Sequence, residues 1–216
     1  MSATDVDARI TGIAAKLRAA AEGGLQPFGW ESHGFRLRPP LAEAEVAAFE
    51  RRHGIELPAG YRAFVTRVGD GWAGPAYGLY PLEAVDPRER PWPPPDGFLR
   101  APFPHTSAFN PDTDPDTLAI WDRADRGELS DEEADRHDAW QTAGTLVLCH
   151  EGCGYHHLLV VTGPTRGQMW IDARCSDGGF APLGVDFLDW YERWLDGTLA
   201  GRHGTWWLEA PGENGG

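Results

Sequence analysis

GTLVLCHEGCGYHHLLVVTGPTRGQMWID, residues 144–172, is the stretch on which the fold turns. Three apolar runs of strand length stand in it, at 145–149, 157–162 and 168–171. Gly152 and Gly154 fall in the first connection, and Gly163, Pro164 and Gly167 in the second. Glycine reaches positive φ without a Cβ clash and proline fixes φ while withholding a donor, so the chain reverses readily at both places. The expectation is an antiparallel meander of three strands. Leu146, Leu148, Leu158, Val160, Trp170 and the residues between them should form an apolar face that needs a helix laid on it.

Helical periodicity supplies the covering elements. In 5–22, Val6, Ile10, Ile13 and Leu17 share one face, and Gly23 and Gly24 stop the run. Residues 28–38 are aromatic and broken by glycine, with an extended piece expected at 35–38 before Pro39 and Pro40. A segment rich in Ala and Glu, 41–53, carries Val46 and Phe49 on one stripe and ends at Gly54. Pro58 reads as the first residue of the next helix, where its missing N–H costs nothing, and Tyr61, Phe64, Val65 and Val68 follow at i, i+3, i+4, i+7. Two helices so spaced resemble a helix–turn–helix, but the charge of the chain argues against a nucleic-acid groove and for core packing. A last helix is expected over 186–196, capped by Asp186, with Phe187, Leu188, Tyr191, Trp194 and Leu195 on the face that covers the meander. Trp170 is expected to meet those rings.

The chain has 216 residues, enough to bury a real core, with ten tryptophans. No run has the length of a membrane span, the first ten residues lack an apolar signal core, and three cysteines do not make a disulfide framework. A reducing, cytoplasmic setting is the expectation. The formal net charge is −14, and Lys16 is the single lysine. Such a surface repels nucleic acid and anionic membranes and draws basic partners by long-range steering.

The acids are not spread evenly. Residues 110–138 hold eleven of the 33 acids against Arg123, Arg126 and Arg136, a local net of −8. Pro115 opens one short helix there, and Ser130 followed by Asp131, Glu132 and Glu133 reads as an N-cap with acids in the first turn of another. Asp112, Asp114, Asp116, Asp122, Asp125, Asp131, Glu132 and Glu133 are therefore the candidate partner-contact residues, against the plainer reading of a solvated helical face. Just before this block, 87–104 is rich in proline (PWPPPDGF, APFP), which reads as a rigid surface path or, less simply, a polyproline II docking element.

Catalytic constellations are thin. Cys149, His150, Cys153, His156 and His157 crowd one turn, but zinc needs a second pair of ligands, and only Cys175 is a plausible remote thiol. His156 and His157 point to opposite faces of a strand, so both cannot easily reach one ion. A cysteine nucleophile needs a fixed base and an oxyanion site that nothing here specifies. The Asp112, Asp114, Asp116 ladder lacks the central glycine and closing glutamate of a calcium loop, and phosphate-loop and dinucleotide fingerprints are absent. Neither enzyme activity, metal nor cofactor is expected.

Several fragments in order resemble the SUKH superfamily, which includes the yeast cell-wall assembly regulator and bacterial toxin-immunity proteins. In the first half they are Phe49-Glu50, Leu57-Pro58, Tyr61, Gly-Asp-Gly ending at Gly71, and the run from Tyr77 and Gly78 to Leu82. In the second they are Gly152-Cys153-Gly154, the strand after it, Gly167 to Trp170, and a final helix with Trp190. The resemblance covers roughly 35–85 and 140–200 and implies a single α+β domain, a small mainly antiparallel sheet packed by helices. On that basis the chain divides into a helical extension (1–24), a SUKH-like domain (25–201) with an acidic and proline-rich insertion (86–141), and a tail (202–216). The function it implies is binding and neutralising a cognate toxin, with nucleases frequent among such toxins. The alternative it implies is an intracellular regulatory scaffold.

Overall fold

The computed structural model describes residues 3–83, 96–202 and 204. The proline cluster at 91–95 and the tail tryptophans Trp206 and Trp207 lie outside them. Among the described residues, seven α-helices and a four-stranded antiparallel sheet of order β1-β2-β3-β4 form an α+β domain. The helices are α1 (Ala3–Glu22), α2 (Trp30–His33), α3 (Glu43–His53), α4 (Ala59–Arg67), α5 (Pro115–Asp125), α6 (Asp131–Trp140) and α7 (Phe187–Leu199); the strands are β1 (Thr145–Gly152), β2 (Tyr155–Val160), β3 (Gln168–Asp172) and β4 (Phe180–Asp186).

The meander is present, but with a fourth strand that the three-strand expectation lacks. β4 has Pro182 and Gly184 in its interior and so reads as loop; Pro182 is tolerated because β4 is an edge strand. The first hairpin closes through Cys153 and Gly154, both at positive φ (51° and 88°), as a two-residue turn with a right-handed strand twist requires.

The expected single apolar face is a second correction. The register sets Leu146 opposite Leu159 and Val147 opposite Leu158, so the large residues divide between two faces. Leu146, Leu148, Leu159, Val161 and Met169 join the main core beneath the helices. Leu158, Val160 and Trp170 turn the other way and pack with Phe103 and Phe180. Trp170 therefore meets Phe103, edge to face at 5.0 Å, and not the rings of α7. The segment before α5 covers this second face: Phe103 N–H donates to the Thr162 carbonyl, and Phe109 and Phe180 exchange backbone hydrogen bonds at the outer edge of β4.

In the main core α7 is the hub. Phe187, Trp190, Tyr191 and Trp194 are fully buried, and Tyr61 and Phe64 of α4 stand against Phe187 at 5.0 and 5.2 Å. Gly60 allows this approach, since a Cβ there would sit 2.8 Å from Leu188. The periodic faces expected from sequence are the buried ones: Val6, Ile10, Ile13 and Leu17 of α1, and Tyr61, Phe64 and Val65 of α4 with Val68 after it. Along the outside of the α1–α7 seam, Arg9 pairs with Asp189 and Glu192 at 2.6 and 2.7 Å, and Lys16 with Asp196 at 2.6 Å.

Helix starts depart from expectation by a residue or two, for identifiable reasons. Pro58 is the N-cap of α4 and not its first residue. Glu50 sets that junction: its carboxylate accepts the Leu57 N–H at 2.9 Å and holds Arg62 at 3.3 Å. α3 begins at Glu43, where Glu45 accepts the Ala42 N–H at 2.7 Å.

Two substitutions check this architecture. Tyr191→Phe, which removes a buried 2.6 Å hydrogen bond to the Ala73 carbonyl, should lower unfolding free energy by about 1–2 kcal/mol in urea melts. Gly78→Ala should cost about 2 kcal/mol or more, because φ is 94° and the new Cβ would lie 2.2 Å from the Trp72 carbonyl oxygen.

Candidate functional site

The acidic block folds as a two-helix arm. Asp114 caps α5, its carboxylate accepting the Thr117 N–H and hydroxyl at 2.8 Å each, and these bonds hold its pKa below the usual carboxylate value. Ser130 and Glu133 form a reciprocal capping box at the start of α6, which likewise lowers the Glu133 pKa. α5 and α6 pack on each other, and Thr117 is the one residue of the two that is buried. Asp112, Asp116, Asp122, Asp125, Asp131, Glu132 and Glu133 are exposed and Asp114 half-buried. Leu118 and Trp140 stand exposed among them. The candidate contact acids thus share one helical pair, but they converge on no single point.

Arg174 fastens the arm to the body. Its guanidinium binds both Asp172 oxygens at 2.8 and 2.9 Å, reaches Asp138 of α6 at 2.8 Å, and lies over the Phe180 ring at 4.7 Å. A second tie is aromatic, Phe98 against Trp140 at 5.9 Å.

Three of the residues that carried the family resemblance, Gly71, Gly78 and Gly152, gather elsewhere, while Glu50, Leu57 and Pro58 lie at the α3–α4 junction and Tyr61, Trp170 and Trp190 in the cores. Gly71, at φ 93°, and Gly78 let the 69–82 loop fold on itself: Trp72 and Leu79 exchange backbone hydrogen bonds of 2.6 Å, and the Asp70 carboxylate accepts the Leu82 N–H at 2.7 Å. The loop lies along the outer edge of β1, with the N–H groups of Tyr77 and Tyr80 donating to the carbonyls of His150 and Leu148. Its rings then form a ladder: Phe28 to Tyr77 at 5.5 Å, Tyr77 stacked on His150 at 4.9 Å, and His150 near-parallel to Tyr80 at 5.9 Å. Gly152 leaves room for the Tyr77 ring, 3.3 Å from where its Cβ would stand. Phe28, Trp72 and Tyr77 stay 40, 41 and 37 % exposed. Sequence reasoning missed this platform; the one signal for it is aromatic residues beside glycines, as in Phe28-Gly29 and Tyr77-Gly78.

The Cys–His cluster disperses. Cys149 is buried in the core, its thiol pKa pushed well up by burial, while Cys153 and Cys175 are exposed. His157 is buried, pairs with Glu151 at 2.9 Å and contacts Trp190, whereas His156 lies on the other side near Asp172. Among the described residues no group of three or more His, Cys, Asp or Glu is arranged to hold a metal, and no helix is long and apolar enough to cross a membrane. An open groove of about 650 Å³ between β4 and α7 is lined by Asp189, Glu192 and Asp196, all three paired with bases of α1.

Four histidines are held below their ordinary pKa by burial: His33, His105, His150 and His156. His33 is the extreme, 1 % exposed between Phe35 and Trp194 and pushed down to about 4. Its unfolded form takes a proton near pH 6.5 and its folded form only near 4, so the unfolded state binds more protons in that window. Stability should therefore be full above about pH 6.5 and fall toward pH 4, with His33 alone accounting for about 3 kcal/mol. His33→Phe should flatten that part of a pH series of urea melts. Asp138→Asn, by contrast, should change global stability by under about 1 kcal/mol while speeding amide exchange in α6, since it removes a partly exposed ion pair and leaves Arg174 on Asp172.

Residues 40–193 match the model of the SMI1 / KNR4 family (SUKH-1). Comparison with curated proteins and with solved structures gives no match.

Proposed function

The chain belongs to the SMI1 / KNR4 family (SUKH-1), and on that premise we propose that it is an immunity-type binding protein that neutralises a cognate bacterial toxin by covering the toxin's basic surface. The observation that carries this reading is the arm: eleven acids against three arginines over 110–138, eight of the acids on two helices that bury almost nothing of their own. A nuclease groove, built to hold phosphates, is the basic surface that suits it best. Long-range attraction raises the encounter rate, and Leu118 and Trp140 among the acids offer apolar contact once water is excluded. The role is occlusion, with no bond made or broken on this chain. The partner is a protein, not nucleic acid or membrane, and the compartment is the cytoplasm of the producing cell.

The second reading, a regulatory scaffold of the cell-wall assembly regulator type, has the aromatic platform in its favour, because that surface carries little charge and suits a partner other than a basic toxin.

Co-expression with the toxins encoded beside its gene is the test. The wild-type chain should restore growth and form a complex at low salt. Replacing Asp122, Asp125 and Glu132 by their amides should slow association at least about tenfold while changing dissociation less. Absence of both rescue and complex for every such toxin would remove the immunity reading.

A further inference from the structure

Cys153 and Cys175 stand exposed, which is unusual for a side chain that otherwise behaves as a small apolar one. They also stand together. Cys153 is in the two-residue turn between β1 and β2, and Cys175 is in the short 3₁₀ turn Arg174–Ser176 between β3 and β4. The register sets His156 of β2 opposite Asp172 of β3. The chain running back from His156 to the first turn therefore lies beside the chain running on from Asp172 to the second. Gly154 marks the contact: a Cβ there would lie 2.8 Å from the Cys175 Cβ and 3.4 Å from its Sγ. Having no side chain, Gly154 leaves the Cys175 sulfur against the backbone next to Cys153.

Both cysteines are held in place. Cys153 sits at φ 51°, fixed by the paired strands on either side. The turn that carries Cys175 is tied down around it. The Arg174 N–H donates to the Asp172 carboxylate at 3.2 Å, the Asn110 amide donates to the Asp177 carbonyl at 2.6 Å, and the Gly178 N–H donates to the Ala173 carbonyl at 3.0 Å. Two groups fixed side by side react with each other far more readily than with groups free in solution.

The surroundings say which chemistry the pair suits. Zinc is poorly served: two thiols are half of a tetrahedral set, and among the described residues no group of three or more ligands is placed to hold a metal. Cys149 takes no part, being fully buried in the main core. Desolvation, the Asp172 carboxylate and the Cys153 thiol raise the Cys175 pKa, which keeps that thiol protonated and makes it the second of the pair to react.

We propose that Cys153 and Cys175 are a reversible oxidation site, which closes to an intramolecular disulfide when the chain meets a peroxide. The Cys153 thiolate attacks one peroxide oxygen, the O–O bond breaks, and hydroxide leaves to take up the proton that Cys153 gave up, so the sulfur becomes a sulfenic acid. The Cys175 sulfur then attacks the Cys153 sulfur: an S–S bond forms, the S–O bond breaks, and the hydroxyl leaves with the Cys175 proton as water. Two electrons pass from the sulfurs to the peroxide, which ends as water, and a cellular dithiol reverses the bond by exchange. In a reducing compartment such a bond is transient and registers exposure to oxidant. The site uses none of the candidate contact acids, so it stands apart from the toxin reading and either can fail alone.

The test exposes the full reduced chain to hydrogen peroxide and maps its disulfides by mass spectrometry after proteolysis without reductant. A link between Cys153 and Cys175 in a monomeric chain is expected, with Cys149 left as a thiol, and dithiothreitol should restore both thiols. Phenylarsine oxide, whose arsenic takes two thiols at once, should label the reduced wild type and neither Cys153→Ser nor Cys175→Ser. In Cys175→Ser the sulfenic acid on Cys153 should persist and be trapped by dimedone at least about tenfold more than in the wild type. Each serine keeps the Cβ of the exposed side chain it replaces, and the wild-type mapping needs no variant. Disulfide-linked dimers as the main product, over-oxidation of Cys153 with no internal link, a bond to Cys149, or arsenical labelling that survives either serine variant overturns the proposal.

Discussion

The burial of one aromatic face, that of α7, is the constraint from which the rest of the molecule hangs. Phe187, Trp190, Tyr191 and Trp194 are sealed between the sheet and helices α1 and α4. Burial of rings this large is worth several kcal/mol in all, enough to hold elements that could not stand alone. Three of the rings also fix something distant: Trp190 contacts His157 of β2, Trp194 contacts His33 and Phe35, and the Tyr191 hydroxyl donates to the Ala73 carbonyl of the glycine-rich loop. Core and platform are coupled through that last bond.

What could be read in the sequence was what is local. The faces of α1, α4 and α7, the caps Ser130 and Asp186, the start of α5 at Pro115, and the two connections of the meander all follow from spacing and from residue types that act within a few positions. The failures share a different origin. β4 exists because β3 and Phe109 pair with it, and its own Pro182 and Gly184 argue against a strand. The two-faced sheet is a matter of register: irregularities beside Cys149 and His150 shift the count in β1, so the runs alone do not say which leucines share a side. The platform draws on residues near 28, 77 and 150, brought together only by tertiary packing.

The candidate contact acids were legible as a cluster because charge is additive along a chain. Their arrangement was only half legible, since helix caps could be read but the fastening by Arg174 could not. Arg174 stands 36 positions from Asp138 and was singled out by no pattern. The arm and the platform also differ in kind. As proposed, the first would act through a field that reaches about 10 Å at ordinary ionic strength, whereas the second carries little charge and could act only on contact.

The slight anchorage of α5 and α6 bears on how such a protein can diversify. Since this pair contributes Thr117 and little else to the interior, most of its side chains are open to replacement without threatening the scaffold beneath. If the hairpin is the contact surface proposed above, its outward side could be rewritten step by step with the Arg174 clasp kept, while the aromatic seam that holds the fold could not. Recognition and folding would then evolve at separate speeds within one polypeptide.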